Sequence, residues 1–157
     1  MQKIHPFLWF DTQAEEAMHF YCSVFKNSKV GRILRHGDAG PGPKGGVLTC
    51  TFELEGQQFT ALNGGPHFKI NEAISFVVDC KSQEEVDELW EKLTADGGQP
   101  GHSAWLKDRF GVSWQIVPTV LMELLNDPDP QKSQRVMQAM LKMSKIDIAK
   151  LQEAARG

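Results

Sequence analysis

The stretch AISFVVDCKSQEEVDELWEKLTA, residues 73–95, decides the fold because a strand pattern in it runs directly into a helix pattern. Between the two stands Ser82-x-x-Glu85, the capping box that starts many helices. The helical part carries four large apolar residues with the i, i+3, i+4, i+7 spacing of a single helix face, namely Val86, Leu89, Trp90 and Leu93. The stretch therefore predicts a strand followed by an amphipathic helix.

Residues 4–26, IHPFLWFDTQAEEAMHFYCSVFK, repeat the same order of elements. Their apolar stripe is offset by 69 residues from its counterpart at every position and consists of Ala17, Phe20, Tyr21 and Val24. A second capping box, Thr12-x-x-Glu15, stands at the start of this helix, one residue out of step with the stripe. An internal repeat of this kind indicates two related modules.

Each predicted helix is followed by three strand signals. In the first half the strands are predicted at residues 30–35, 46–54 and 57–63, with the Gly- and Pro-rich loop HGDAGPGPKGG at 36–46. In the second half a short strand is predicted near Gly101, followed by a hairpin of residues 104–107 and 112–118. The pattern predicts an α+β fold of two βαβββ modules, residues 1–65 and 66–118.

Residues 119–157 have a helical pattern and are predicted to form a separate tail. Asp127-Pro-Asp-Pro130 interrupts the pattern and opens a new helix, because proline is favoured in the first turn. The tail cannot bury its apolar stripes alone. We therefore expect it to pack on its own domain or on a partner subunit.

Composition excludes several functional classes. The chain of 157 residues carries a formal net charge of −3 and no long basic run, so nucleic acid is not an expected partner. The apolar stretches are too short to span a bilayer, and the N-terminus lacks the features of a signal peptide, so we expect no membrane contact and a cytoplasmic location. Three widely spaced cysteines, Cys22, Cys50 and Cys80, predict reduced, buried thiols.

Side chains alternate across a strand, which divides the predicted sheets into two faces. One face is uniformly apolar and is predicted to lie under the helices; it consists of Leu8, Phe10, Leu48, Cys50, Phe52, Leu54, Leu62, Ile74, Phe76, Val78, Trp114 and Ile116. The other face mixes aromatic and hydrogen-bonding groups, as ligand pockets do. Its predicted ligand-binding residues are His5, Phe7, Trp9, Phe59, Asn63, Ser75 and Gln115. The alternative interpretation is an amphipathic subunit interface.

Each of these residues has a second interpretation. His5 is a candidate general base or hydrogen-bond donor to the ligand, or else a residue that packs in the wall. Phe7 and Trp9 can stack on a flat ligand or fill the core. The polar groups of Asn63, Ser75 and Gln115 can bind the ligand, each other or water.

Three segments resemble the PhnB-like branch of the vicinal-oxygen-chelate superfamily, which is often labelled 3-demethylubiquinone-9 3-methyltransferase. They are ALNGGPHFKINEAISFVVDC (61–80), WLKDRFGVSWQIVP (105–118) and LLNDPDPQKSQRVMQAMLKMSKIDI (124–148). The resemblance implies paired βαβββ modules, an open eight-stranded cup and commonly a homodimer. It covers nearly the whole chain.

The resemblance also implies where a divalent metal would be bound in glyoxalase-type relatives, with one ligand from the first and last strand of each module. The corresponding positions here are His5, Ala61, Ala73 and Gln115, of which only His5 is a good ligand and Gln115 a weak one. Zinc and iron sites need three or four His, Cys or carboxylate ligands. We therefore expect no metal.

Methyl transfer would call for a glycine-rich turn between a strand and a helix to hold S-adenosylmethionine. The glycine clusters at 37–46, 64–65 and 97–98 lack that context, so no cofactor is expected. The first hypothesis is therefore a protein whose cup binds a hydrophobic or aromatic metabolite. The alternative is an enzyme, either with His5 as proton carrier in metal-free chemistry on a quinone or carbonyl compound, or with the methyltransferase activity that the family label implies.

Overall fold

A computed structural model describes residues 2–157, and its backbone divides into two compact units between Ile70 and Asn71. The first unit contains β1 (Phe7–Phe10), α1 (Ala14–Val24), β2 (Ser28–Arg35), β3 (Val47–Leu54) and β4 (Gln57–Asn63). The second unit begins with β5 (Ser75–Cys80), α2 (Gln83–Thr94), β6 (Gln99–Pro100), β7 (Trp105–Lys107) and β8 (Ser113–Pro118). It continues with the tail helices α3 (Thr119–Leu125), α4 (Pro130–Leu141) and α5 (Ile148–Arg156).

Each unit contains one open, four-stranded mixed sheet, and the two sheets have the same topology. Their strand orders are β1-β4-β3-β2 and β5-β8-β7-β6. In both, the first strand runs parallel to the fourth, and the remaining pairs are antiparallel. The α+β class, the two βαβββ modules and the helical tail are thereby confirmed. The module boundaries after residues 65 and 118 stay predictions.

Helix α1 covers one face of the first sheet with the predicted stripe. Ala17, Tyr21 and Val24 are buried, and the ring of Tyr21 stacks on Phe52 with centroids 6.1 Å apart. Phe52 in turn stacks on Phe59 at 5.4 Å. Burial of a large apolar side chain contributes roughly 1.5–3 kcal/mol, so this aromatic column is a main stabilising element of the first unit.

The two main helices begin in different ways. The hydroxyl of Ser82 accepts a hydrogen bond from the backbone N–H of Glu85 at 3.2 Å, which confirms the second predicted capping motif. The first is wrong: α1 begins at Ala14, and no side chain at its N-cap residue, Gln13, bonds the helix. Instead the side-chain oxygen of Asn63, at the end of β4, accepts from the Ala14 N–H at 2.8 Å. A residue distant in sequence thus replaces the local cap.

The second sheet is covered by α2 and closed by a hairpin turn built on a buried carboxylate. Asp108 is 2% exposed. One of its oxygens accepts from the backbone N–H groups of Phe110 and Val112 at 2.8 and 3.1 Å, and the other accepts from the indole N–H of Trp114 at 2.9 Å. Asp108 therefore stabilises the turn by bonding the local backbone. Trp114, which packs against Phe76 at 5.5 Å, lies on the helix side of the sheet as predicted.

The tail packs on its own unit. Its buried cluster consists of Ala104, Val117, Leu121, Val136, Ile146, Leu151 and Ala155. The side chain of Gln83, in the first turn of α2, donates to the carbonyl of Ile146 at 2.9 Å and accepts from the N–H of Ile148 at 2.7 Å. Pro130 opens α4 as predicted, with Asp129 as its N-cap. Within residues 2–157, no helix has the length and apolar character needed to cross a membrane.

The three cysteines are free thiols. Cys50 and Cys80 are fully buried, and burial raises their pKa values to about 11 and about 12. Cys22 is only half-buried; burial raises its pKa as well, against a hydrogen bond with Ser28 that lowers it. Thiols with raised pKa values carry little thiolate at neutral pH, so these groups pack as small apolar side chains.

Candidate functional site

The first sheet presents a face away from α1, here called the far face, on which cross-strand neighbours form three rows. Residues that pair across a sheet point to the same side of it. The apolar row contains Trp9, Leu62 and Thr49; the hydroxyl row contains Phe7, Thr60 and Thr51; the charged row contains Gln58, Glu53 and Lys29. The face therefore changes from apolar to charged along the strands.

A hollow of about 600 Å³ lies on the far face over β2 and β3, in the size range of small-molecule sites. It is lined by Lys29, Val30, Gly31, Arg32, Thr51, Phe52, Glu53 and Gln58. Gly31 permits the close approach of β2 to Thr51, since a Cβ there would lie 2.4 Å from the hydroxyl of Thr51. The same hydroxyl accepts from the N–H of Arg32 at 2.9 Å, where β2 departs from regular pairing.

Trp9 lies on the far face as predicted, but much of its ring is already in contact. Its indole N–H donates to the carbonyl of Gly65 at 2.9 Å, and its ring meets Phe68 edge-on at 4.9 Å. A Cβ on Gly64 would come within 2.5 Å of the ring, so the glycine there permits this packing. Trp9 can offer a ligand only its remaining exposed surface, while Phe7 is 57% exposed.

The predicted face of β4 is wrong. Phe59 pairs with Phe52 and Ala61 with Cys50, so Phe59 and Asn63 point to the α1 side of the sheet. Phe59 is buried in the aromatic column. Both polar atoms of the Asn63 side chain are hydrogen-bonded, because its amide also donates to the carbonyl of Val47 at 3.1 Å.

The cause of that error is the register of the β3–β4 hairpin. Glu55 and Gly56 both have positive φ, at 51° and 84°, which makes a two-residue turn whose twist matches the strands. Such a turn forces Leu54 to pair with Gln57, and hence Phe52 with Phe59. The Glu55-Gly56 pair is the sequence signal for this turn. The register that the turn imposes would have predicted Gln58, Thr60 and Leu62 as the far-face residues of β4. Glu53 and Lys29 follow by the same pairing.

His5 lies in the segment before β1, outside any strand, and is exposed. Ser75 and Gln115 belong to the second unit and bind each other, since the Gln115 amide donates to the Ser75 hydroxyl at 2.9 Å. They lie on the face of the second sheet away from α2, as Phe76 and Trp114 occupy the opposite face. The mutual hydrogen bond that the sequence left open as an alternative is therefore present. Whether any of the three binds a ligand stays a prediction.

The residues at the metal-ligand positions that the resemblance implies do not fit a divalent ion. Ala61 and Ala73 have no ligating atom, and Gln115 offers only a neutral amide oxygen, which is a weak ligand. Residues 2–157 also contain no group of three or more His, Cys, Asp or Glu placed to hold a metal. The expectation that no metal is bound stays a prediction.

No glycine of the described chain stands in a turn from a strand into one of the sheet-covering helices. The segment from β1 to α1 is Asp11-Thr12-Gln13, and the segment from β5 to α2 is Lys81-Ser82. The loop at 36–46 joins two antiparallel strands, β2 and β3.

Comparisons with known proteins agree with this architecture. The family model described as 3-demethylubiquinone-9 3-methyltransferase matches residues 2–117. A putative 3-demethylubiquinone-9 3-methyltransferase, the PhnB protein from Bacillus cereus, is 38% identical over 75% of this chain and 100% of its own, with a TM-score of 0.67. Among curated proteins, none matches significantly.

Two more distant structures share the fold. Protein PA1353 from Pseudomonas aeruginosa is 22% identical, covering 75% of this chain and 98% of its own with a TM-score of 0.61. The fosfomycin resistance protein FosX from Listeria monocytogenes is 16% identical, covering 80% and 98% with a TM-score of 0.60. The tail lies beyond the residues that the family model matches, so its part in the resemblance stays a prediction. With the family model spanning both βαβββ modules, the chain belongs to the PhnB-like, 3-demethylubiquinone-9 3-methyltransferase family of the vicinal-oxygen-chelate superfamily.

Proposed function

We propose that the protein binds a small ligand with a flat apolar part and a hydrogen-bonding group on the far face of the first sheet. The observation that supports this most directly is the hollow of about 600 Å³ over β2 and β3. It lies on a surface whose rows change from apolar to polar, and ligand sites combine apolar walls with a few polar groups. An ordinary solvent-facing sheet surface would be polar throughout.

The apolar row and Phe7 support an aromatic or hydrophobic ligand. Leu62 and the free part of Trp9 form a continuous apolar strip, and Phe7 projects beside it with 57% of its surface exposed. Covering exposed aromatic surface of this kind with a flat apolar group removes it from water, which favours binding.

The polar end of the hollow supports a ligand with a hydroxyl or carbonyl group. Gln58 offers an amide on the far face, and Thr51 on β3 offers a hydroxyl in the same hollow. Lys29 and Glu53 pair directly across β2 and β3, so their opposite charges offset each other. Arg32 adds a further positive charge to the lining, so the hollow favours a neutral or singly anionic ligand over a cationic one.

A pair of adjacent glutamines allows a matched test with 1-naphthol as the probe. Gln58 lines the hollow, whereas Gln57 pairs with Leu54 and points to the α1 side. We expect Gln58→Leu to weaken 1-naphthol binding about fivefold, the effect of one neutral hydrogen bond of about 1 kcal/mol, and Gln57→Leu to leave it unchanged. Titration followed by amide chemical shifts measures both. Equal effects of the two substitutions, or shifts confined to residues outside the hollow, would contradict the proposal.

The second candidate function is methyl transfer, which the description of the matching family names. Calorimetry with S-adenosylmethionine separates the two functions. The binding proposal predicts no heat beyond dilution, whereas saturable heat would favour methyl transfer. Metal-free chemistry with His5 as proton carrier would require that His5→Ala lowers turnover of a quinone or carbonyl substrate.

A homodimer is proposed as the assembly. Both sheets carry exposed apolar side chains, with Phe7 57% and Val77 55% exposed, and superfamily members are commonly dimers. Sedimentation of the native protein and of Val77→Glu tests this, since a charge at an interface shifts the equilibrium to monomer. A native protein that sediments as a monomer would exclude it.

A further inference from the structure

A second hollow in the first unit, of about 570 Å³, lies under the loop of residues 36–46 and shares no lining residue with the hollow over β2 and β3. Its walls come from the segment after β1, the loop itself, the start of β3 and the end of β4. We propose that it binds a compact amine with a flat apolar body. This site goes beyond the proposed function, because apart from Leu62 it uses different residues and because its ligand carries a different charge.

The walls are held in place by the protein's own hydrogen bonds. His36 and Gly46 close the base of the loop, with the His36 N–H donating to the Gly46 carbonyl at 2.8 Å, and Gly46 donates to Pro43 at 2.9 Å. Below the loop, Asn63 ties the start of β3 to the first residue of α1. The hollow is therefore formed before any ligand arrives, which reduces the ordering that binding requires.

The lining indicates the chemical class of the ligand. Most of it is apolar, from Val47, Leu48 and Leu62 and from the rings of Pro41 and Pro43. Among the described residues that line it, Asp11 is the only Asp, Glu, Lys or Arg. An apolar hollow with one carboxylate favours an ammonium group on a small apolar body over a neutral or anionic molecule of the same shape.

The roof of the hollow contains a polar atom whose hydrogen-bonding capacity is not met. The Nδ1 atom of His36 is buried and has no hydrogen-bond partner among the described residues. A Cβ on Gly40 would lie 2.9 Å from that atom, so the loop wraps closely around the ring. Because that atom is enclosed by the loop, it is not a ligand contact, and the preference for a cation depends on Asp11.

Benzylamine and benzyl alcohol test the proposal, since they share a ring and differ in charge. In the full chain we expect benzylamine to bind about fivefold more tightly, the effect of one exposed ion pair, and to shift the amide resonances of Leu48, Gly64 and Gly65. Asp11→Asn should abolish the preference for benzylamine and keep the binding of benzyl alcohol. The matched control is Asp38→Asn, which removes an exposed loop carboxylate that pairs with Lys44 at 3.2 Å and does not line the hollow.

Three outcomes would overturn the amine site: no saturable binding of benzylamine, equal affinity for the two probes, or the same loss of preference in the Asp38 and Asp11 variants. Failure here is distinguishable from failure of the proposed function. A ligand in the hollow over β2 and β3 would shift resonances of residues 29–32 and 51–53 and would respond to Gln58→Leu.

Discussion

In the first unit the helix that covers the sheet is started by Asn63 from a distant strand, whereas in the second unit Ser82 starts the equivalent helix from the preceding residue. The hairpins differ as well. The first closes with Glu55 and Gly56 in left-handed backbone conformations, and the second closes around the buried carboxylate of Asp108. One topology is therefore stabilised by a long-range contact in one unit and by local contacts in the other.

The two sheets also differ in what their faces away from the helices can offer. In the second unit Ser75 and Gln115 hydrogen-bond each other, and Val117 is buried in the cluster of the tail. Both of the hollows described above lie in the first unit. The two sheets thus share a topology, but the first leaves polar groups accessible on its far face, whereas the polar groups of the second bond each other.

The largest expected effect tests the second hairpin. Asp108→Ala leaves the N–H groups of Phe110, Val112 and Trp114 without their acceptor in a buried site. We expect the free energy of unfolding to fall by about 3–5 kcal/mol, measured by urea denaturation. Asp38→Ala on the exposed loop is the control and should change stability by no more than about 0.5 kcal/mol. Similar losses in both variants would remove the special role of this carboxylate.

The next effect compares the two helix starts. Asn63→Ala removes the acceptor for the Ala14 N–H and the donor to Val47, so we expect a loss of about 2 kcal/mol. Ser82→Ala removes one cap bond and should cost about 1 kcal/mol. Thermal and urea unfolding measure both. A larger loss of stability in Ser82→Ala than in Asn63→Ala would contradict this difference between the two helix starts.

A smaller effect is expected at the first hairpin. Gly56 has φ of 84° with nothing near its absent side chain, so Gly56→Ala is disfavoured by the backbone alone. We expect a loss of about 1 kcal/mol. Gly37, which is equally open and lacks a positive φ, is the matched control, and Gly37→Ala should be neutral. If Gly56→Ala and Gly37→Ala change the free energy of unfolding equally, the left-handed turn does not set the register.

The smallest effect at neutral pH concerns the buried thiols, one in each unit. Burial raises the pKa of Cys50 to about 11 and of Cys80 to about 12, above the ordinary thiol value of about 9. The unfolded chain therefore loses these protons first, so stability is unaffected below about pH 8.5 and falls as pH rises toward 11–12. Urea denaturation at pH 7.5 and pH 10.5 measures the change.

A thiol reagent provides the control for that prediction. In the native protein Cys22, which is half-buried, should react before Cys50 and Cys80, and all three should react at once in urea. Rapid native reaction of Cys50 or Cys80 would show that these thiols are not shielded as the structure indicates.

Periodicity was sufficient for the helices and for most strands. The stripes at Ala17–Val24 and Val86–Leu93 are largely buried, and β4 begins and ends at the predicted residues. The face of β4 was predicted wrongly although its limits were right. Because side chains alternate with a period of two, an error of one residue in the pairing moves Phe59 and Asn63 to the opposite side.

The sequence by itself determined the repeat, the strand and helix order and the family, because hydrophobic period and turn residues act over short distances along the chain. Only the tertiary structure decided that Asn63 starts α1, that Gln115 is hydrogen-bonded to Ser75, and that a hollow lies over β2 and β3. Those outcomes depend on which strands pair and in which register. Residues far apart in the chain determine that pairing together, so no local pattern could show it.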